Sequence, residues 1–128
     1  MNIVVLAGGI STERDVSLIS GKGIYRAVKS KGHKAILLDV FLGYEGDDVD
    51  RIFDIEKDWE AQVTGIKETN PDLEAVKAMR PDWEKNYFGP NVIRLCQMAD
   101  VVFMALHGEN GENGKIQAYF DLMGITYT

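Results

Sequence analysis

The sequence predicts an α/β domain, an open parallel sheet with flanking helices, and three observations predict it. First, the apolar runs in Ile3–Ala7, Lys34–Val40 and Ala99–Leu106 lack polar alternation, as strands buried on both faces do. Second, a helix-spaced segment separates the first two runs, and such a strand–helix–strand unit winds right-handed into a parallel sheet. Third, the first and last of these runs each stop in a polar loop containing glycine, and each loop leads into another helix-spaced segment.

The elements follow in order. Ile3–Ala7 ends at Gly8-Gly9. Thr12-x-x-Asp15 has the form of a capping box that opens a helix. Val16, Ile19, Ser20, Gly23, Ile24, Ala27 and Val28 then recur at three-and-four spacing, which predicts the buried face of that helix. Gly32 sits where a helix ends in a left-handed residue, and the neighbouring His33 reads as a cap at the helix end. Lys34–Val40 is the second strand. Near the end of the chain, Ala99–Leu106 is a strand, 107–114 a loop, and Lys115–Met123 a helix with Ile116, Tyr119, Phe120 and Met123 as its stripe. Gly124 closes that helix. Ile125–Thr128 begins a further strand with nothing after it, so the expectation is a product cut from a longer chain.

Between 41 and 86 no period is clean. Helices are expected at Leu73–Met79 and Asn91–Met98, with Asp72 and Asn91 as caps and breaks at Pro71, Pro81 and Pro90. Trp59, Trp83, Tyr87 and Phe88 read as core or interface pieces. Glu45, Asp47, Asp48 and Asp50 lack a calcium-loop pattern and read as a solvated loop.

At 128 residues the chain suits one domain, 1–128, with a substantial core. Its net charge of −6 opposes binding to nucleic acid and to anionic membranes. The N-terminal run is broken too early by glycine for a signal peptide, and no apolar stretch is long enough to cross a bilayer. The lone Cys96 lies in an apolar run and reads as a buried, inert thiol. A reducing, cytoplasmic setting is expected.

Two loops carry the candidate chemistry. In open parallel sheets, ligands bind beyond the carboxyl ends of the strands, at the point where the strand order reverses. If the first and last strands are neighbours, the loop GGISTERDVS (8–17) and the loop HGENGENG (107–114) meet in one crevice. The first loop fails the G-x-G-x-x-G pattern. It also fails a P-loop, which needs glycine where Val16 stands ahead of Gly21-Lys22. One reading of it is a tight turn capped by Thr12, with Glu13 and Asp15 as solvated first-turn acids. In the second loop, Gly108, Gly111 and Gly114 are costly in backbone entropy unless positive φ or close ligand approach requires them. His107 and Glu112 are close enough in sequence for the carboxylate to orient the imidazole, and the alternative is a histidine satisfied by loop backbone. No metal-ligand spacing is present.

With both loops described, a resemblance emerges. His107–Ala118 (HGENGENGKIQA) resembles the HGxxGE(D/N)Gx-apolar-Q-small signature of D-alanine–D-alanine ligases at every defining position. VVLAGGISTERDVSLISG resembles the opening segment of the same family, with its G-G-x-S-x-E-R-(D/E)-V-S core. The resemblance covers roughly residues 1–40 and 87–128. It implies a Rossmann-like pre-ATP-grasp domain, the N-terminal, substrate-side part of an enzyme. That enzyme joins two D-alanines through an acyl phosphate for peptidoglycan synthesis.

By the resemblance, Glu13 pairs with the ammonium of the first D-alanine, and His107 bonds that substrate's carboxylate. Glu112 orients or charge-balances His107, and Ser17, one turn past Glu13, supports it. Catalysis of this kind is mainly positioning and charge stabilisation. ATP and Mg2+ are expected in central and C-terminal ATP-grasp domains outside this chain, with no cofactor or metal bound here. The isolated domain is expected to be inactive, and the full-length enzyme to be a homodimer. A reading from a different class is a stand-alone module that binds a small amino acid without catalysis. Another doubly wound nucleotide-binding protein is disfavoured by the failed glycine patterns.

Overall fold

A computed structural model describes residues 1–63, 73–106 and 114–128. The described elements are β1 (Asn2–Ala7), α1 (Arg14–Ser30), β2 (Lys34–Asp39), a 3-10 segment (Val49–Asp54), α2 (Trp59–Val63), α3 (Leu73–Ala78), α4 (Val92–Met98), β3 (Val101–Met104) and α5 (Lys115–Met123). The sheet has the order β2-β1-β3, and both pairings are parallel. β1 is central. Val4, Val5 and Leu6 are fully buried, because strands flank them on both sides and helices cover the sheet. The first two apolar runs have the burial expected of them, whereas in β3 only Val102 is buried and Val101, Phe103 and Met104 are half-buried. Tyr127 forms a parallel bridge to Val102, so the chain end lies along the free side of β3.

The helix faces correct the sequence reading. On α1, Val16 is 52% and Ile19 71% exposed, while Arg14, Ser17, Leu18, Gly21, Tyr25 and Val28 are buried. The buried face is therefore rotated from the expected one, and only Val28 belongs to both. The reason is that polar groups with dedicated partners occupy the buried face, and an apolar count gives them no weight. Gly21 belongs there because α1 crosses β1 closely: a Cβ on it would stand 2.7 Å from Ala7 Cβ.

The expected Thr12–Asp15 capping box does not form. Glu13 takes the N-cap position without a side-chain cap bond. The turn closes one residue earlier instead, where Ser11 Oγ accepts the Glu13 N–H (3.1 Å) and Ser11 O accepts the Arg14 N–H (3.1 Å).

At the other end of α1, Gly32 has φ +89°. Its N–H bonds Lys29 O and the His33 N–H bonds Val28 O, the paired closure of a left-handed helix end. His33 thus caps through its backbone, while its Nδ1 lies 3.2 Å from the Met1 amino group. Asn91 stands at the N-cap of α4, but its Nδ2 donates to Tyr44 O (2.7 Å) rather than capping the helix. Asp72 and Pro71 lie outside the described residues. On α5, Ile116 and Phe120 are buried, whereas Tyr119 and Met123 are exposed, which halves the expected stripe. Tyr119 instead leans on Phe88 at the rim.

In the described part of the segment between β2 and β3, aromatic rings pack in pairs. Trp59 packs against Tyr44 (5.2 Å), Phe41 meets Trp83 and Tyr87 edge-on, and Phe88 stacks on Phe120 (6.0 Å). Among the acids, Asp48 pairs with Lys57 and accepts the Tyr44 hydroxyl, and Asp50 pairs with Arg94. Cys96 is 1% exposed, and burial pushes its thiol up to about 12, so it is inert as a nucleophile.

Candidate functional site

Because β1 and β3 are parallel neighbours, their carboxyl ends lie side by side and the two candidate loops leave from adjacent points. One side chain joins their bases. Ser17, wholly buried on α1, accepts the Gly8 N–H (2.9 Å) through Oγ and donates to Ala105 O (2.6 Å) just past β3. The hydroxyl is thereby committed to backbone on both sides.

The first loop turns through two left-handed residues, Gly8 (φ +85°) and Gly9 (φ +91°). Space as well as φ demands glycine at both. A Cβ on Gly8 would stand 2.7 Å from the Asp39 carboxylate, and one on Gly9 would stand 2.8 Å from the Tyr87 hydroxyl.

Beneath this turn lies a buried ion pair. Arg14 is 1% exposed, donates through Nη1 to Gly9 O (2.6 Å), and pairs through Nη2 with Asp39. Asp39, at the end of β2, also accepts the N–H groups of Phe41 (2.9 Å) and Leu42 (3.1 Å). Both charges are therefore paired and hydrogen-bonded, the condition under which buried charge is tolerated. Around them, burial pushes the Tyr87 hydroxyl up to about 12, with the Asp39 charge adding and Arg14 opposing. Burial also lowers Arg80, with Asp39 opposing, and Arg80 Nη1 donates to both Phe41 O and Tyr87 O at 2.8 Å.

Sequence reasoning missed Arg14 and Asp39. A signal existed, since Asp39 interrupts an otherwise apolar strand (AILLDV) and Arg14 is in helical phase with Ser17, Gly21 and Val28.

Of the expected site residues, Glu13 is exposed at the N-cap of α1, beside the loop mouth. Ser17 sits below it as the tie described above. His107 and Glu112 lie outside the described residues. Their flanks are described: Ala105 and Leu106 are buried, and Gly114 (φ +86°) opens α5.

In the glycine loop the Gly8 N–H is donated to Ser17, and the Asp39 carboxylate occupies the space a Gly8 Cβ would need. Among the described residues, no three His, Cys, Asp or Glu side chains converge on a metal position.

The order β2-β1-β3, parallel throughout and flanked by helices, defines an open α/β domain, with Glu13 exposed at the N-cap of the helix that follows the central strand. The chain belongs to the D-ala D-ala ligase N-terminus family, whose model matches residues 2–128. It is 48% identical over 130 residues to the D-alanine–D-alanine ligase of Lacticaseibacillus casei (strain BL23), covering 100% of this chain and 36% of that protein. It is 46% identical over 134 residues to the D-alanine–D-alanine ligase of Pediococcus pentosaceus (strain ATCC 25745), covering 100% of this chain and 37% of that one. The crystal structure of VanG D-Ala:D-Ser ligase from Enterococcus faecalis shares the fold, with a TM-score of 0.53 at 24% identity over 98% of this chain and 34% of that chain. The chain thus spans about a third of the length of these relatives. Among the described residues, no helix is long and apolar enough to cross a membrane.

Proposed function

We propose that this chain is the substrate-side domain of an ATP-dependent ligase that joins two D-alanines, and that it forms half of the first D-alanine subsite. The observation that carries the reading is the Ser17 tie, which draws the bases of the two signature loops together at the carboxyl edge of β1 and β3. Glu13 pairs with the substrate ammonium, a charge-assisted contact that leaves the substrate carboxylate free to react. His107 receives that carboxylate, and Glu112 sets the His107 tautomer. Ser17 serves the subsite from below, by holding Gly8. ATP and Mg2+ belong to further domains of the same enzyme, in keeping with a glycine loop that fits neither nucleotide pattern and whose Gly8 N–H is given to Ser17.

Titrating the chain with D-alanine and, separately, with ATP tests this by backbone NMR. D-alanine is expected to move the Gly9, Glu13 and His107 resonances. Movement of the same resonances by ATP alone would overturn the reading. The isolated chain is further expected to release no ADP in the presence of D-alanine, ATP and Mg2+, and D-alanine-dependent ADP release would refute that part.

A further inference from the structure

Glu13 is the N-cap and Arg14 the first residue of α1, so a single peptide unit joins them. Arg14 is buried and Glu13 exposed, and whatever anchors Arg14 restrains the backbone that carries Glu13. Arg14 is fixed at two points by the two arms of its guanidinium, one on Gly9 O and the other on Asp39. Asp39 in turn holds the Phe41 and Leu42 N–H groups. Phe41 packs edge-on against Tyr87, whose hydroxyl stands over the Gly9 Cα. The contacts close a ring through Gly9, Arg14, Asp39, Phe41, Tyr87 and back to Gly9. That ring binds the turn after β1, the turn after β2 and the segment ahead of α4 into one body. The planar guanidinium is suited to this, because it addresses two acceptors at a set angle, which an ammonium does not.

We propose that Arg14 and Asp39 are positioning residues, a buried latch that sets the Gly8-Gly9 turn and aims the Glu13 carboxylate at the substrate ammonium. The inference rests on the D-alanine reading for its ligand but not for its geometry. Neither residue touches substrate.

The test compares wild type with Arg14→Lys, which keeps the charge and loses the fork, in backbone NMR with D-alanine as the probe. The expected result is unchanged core resonances at Val4 and Leu37, with a modest fall in melting temperature from the buried acceptor left under-paired. Gly9 and Glu13 resonances should be displaced, and D-alanine affinity should weaken by about tenfold or more, the scale of loss from small misplacement of a site group. Intact Gly9 and Glu13 resonances with intact affinity would overturn the proposal and leave the pair a structural element only.

If Arg14→Lys does not fold, the double variant Arg14→Met/Asp39→Leu carries the test by removing both charges together. A retained core with displaced Glu13 and weakened affinity supports the latch, and a retained core with full affinity overturns it. Should wild type itself show no D-alanine response, the ligand reading fails, while displacement of Gly9 and Glu13 in the variants still decides the latch.

Discussion

The turn after β1 and the segment between β2 and β3 pack against the same sheet, yet they are held by different physics. The turn is fixed by directional bonds, each with a named donor and acceptor: Gly8 to Ser17, Ser17 to Ala105, and Arg14 to Gly9 and Asp39. The described part of the segment has side-chain bonds too, from Arg80 and Asn91, but adds to them a set of ring contacts and apolar burial that the turn lacks, among them Trp59 on Tyr44 and Phe88 on Phe120. Hydrogen bonds specify angle and distance, whereas apolar burial is non-directional and grows with area. The difference teaches that the turn is specified chiefly for placement, while the segment adds adhesion.

The largest effects test that division directly. Arg14→Met leaves Asp39 buried without its partner and is expected to cost about 3–5 kcal/mol. Trp59→Ala removes a side chain that is 3% exposed and is expected to cost a similar amount, about 3–5 kcal/mol. Urea unfolding measures both. Only Arg14→Met should disturb the D-alanine response of whatever fraction stays folded. Arg14→Met/Asp39→Leu should recover most of the stability without recovering that response. If Trp59→Ala abolished the response as well, the division between placement and adhesion would collapse.

A smaller pair of effects lies within α1. Gly21→Ala puts a methyl 2.7 Å from Ala7 Cβ and 3.2 Å from Leu37 Cδ1, an overpacking expected to cost about 1–3 kcal/mol. Gly23→Ala meets nothing within 4 Å and should stabilise the helix by about 0.5–1 kcal/mol. Opposite signs two residues apart, read from thermal or urea midpoints, would confirm the rotated buried face. Equal signs would restore the face expected from apolar spacing.

That rotation shows what was legible in the sequence and why the rest was not. The parallel sheet was legible because strands buried on both faces leave unbroken apolar runs, as at Ile3–Ala7. The neighbouring placement of β1 and β3 was posed only as a condition, because adjacency is a property of the packed chain. Glu13 and its loop were visible through a motif. Arg14 and Asp39 were not, since a buried charge is recognised by its partner and that partner lies 25 residues away. The stretch from 41 to 86 was legible only in part. The helices expected at Leu73–Met79 and, just beyond it, Asn91–Met98 form at Leu73–Ala78 and Val92–Met98, while the 5-residue Trp59–Val63 is too short for a period to register. Order there and just beyond also comes from rings distant in sequence, such as Phe88 and Phe120.

Cys96 yields a pH-dependent effect on the adhesive side. Burial raises the native thiol from an ordinary value of 9.0 to about 12, so the unfolded chain loses its proton first as pH rises. The contribution of this thiol to stability is therefore constant below pH 9.0 and declines between there and about pH 12. Other groups titrate in the same window, so the comparison is with Cys96→Ala. The stability advantage of wild type over that variant should shrink as the pH of urea unfolding is raised through 9.0. At pH 8, iodoacetamide should modify Cys96 only when urea is present. Rapid alkylation of the folded chain would show that α4 opens readily and that the ring-held segment adheres less firmly than its burial implies.

The smallest effect comes from a second arginine on the same helix. Arg26 meets Glu60 through two nitrogens, at 2.5 and 3.1 Å, a pairing as complete in its bonds as that of Arg14. Its hydrogen bonds hold Glu60 below the usual carboxylate value, so any stabilisation is present at neutral pH and is lost as the pH falls below 4.5 through the lowered native value. The Arg26 side chain, however, is 68% exposed. Water and salt screen an exposed pair and restore much of what its loss removes, while side-chain entropy opposes its formation. Arg26→Ala should therefore leave the melting temperature at pH 7 indistinguishable from wild type, in low and in high salt. The two arginines share a helix and an acceptor chemistry and differ in solvent. A large loss from Arg26→Ala would mean that bond geometry rather than burial sets the cost of breaking these pairs. The case for Arg14 as a latch would then have to rest on its contact with Gly9 alone.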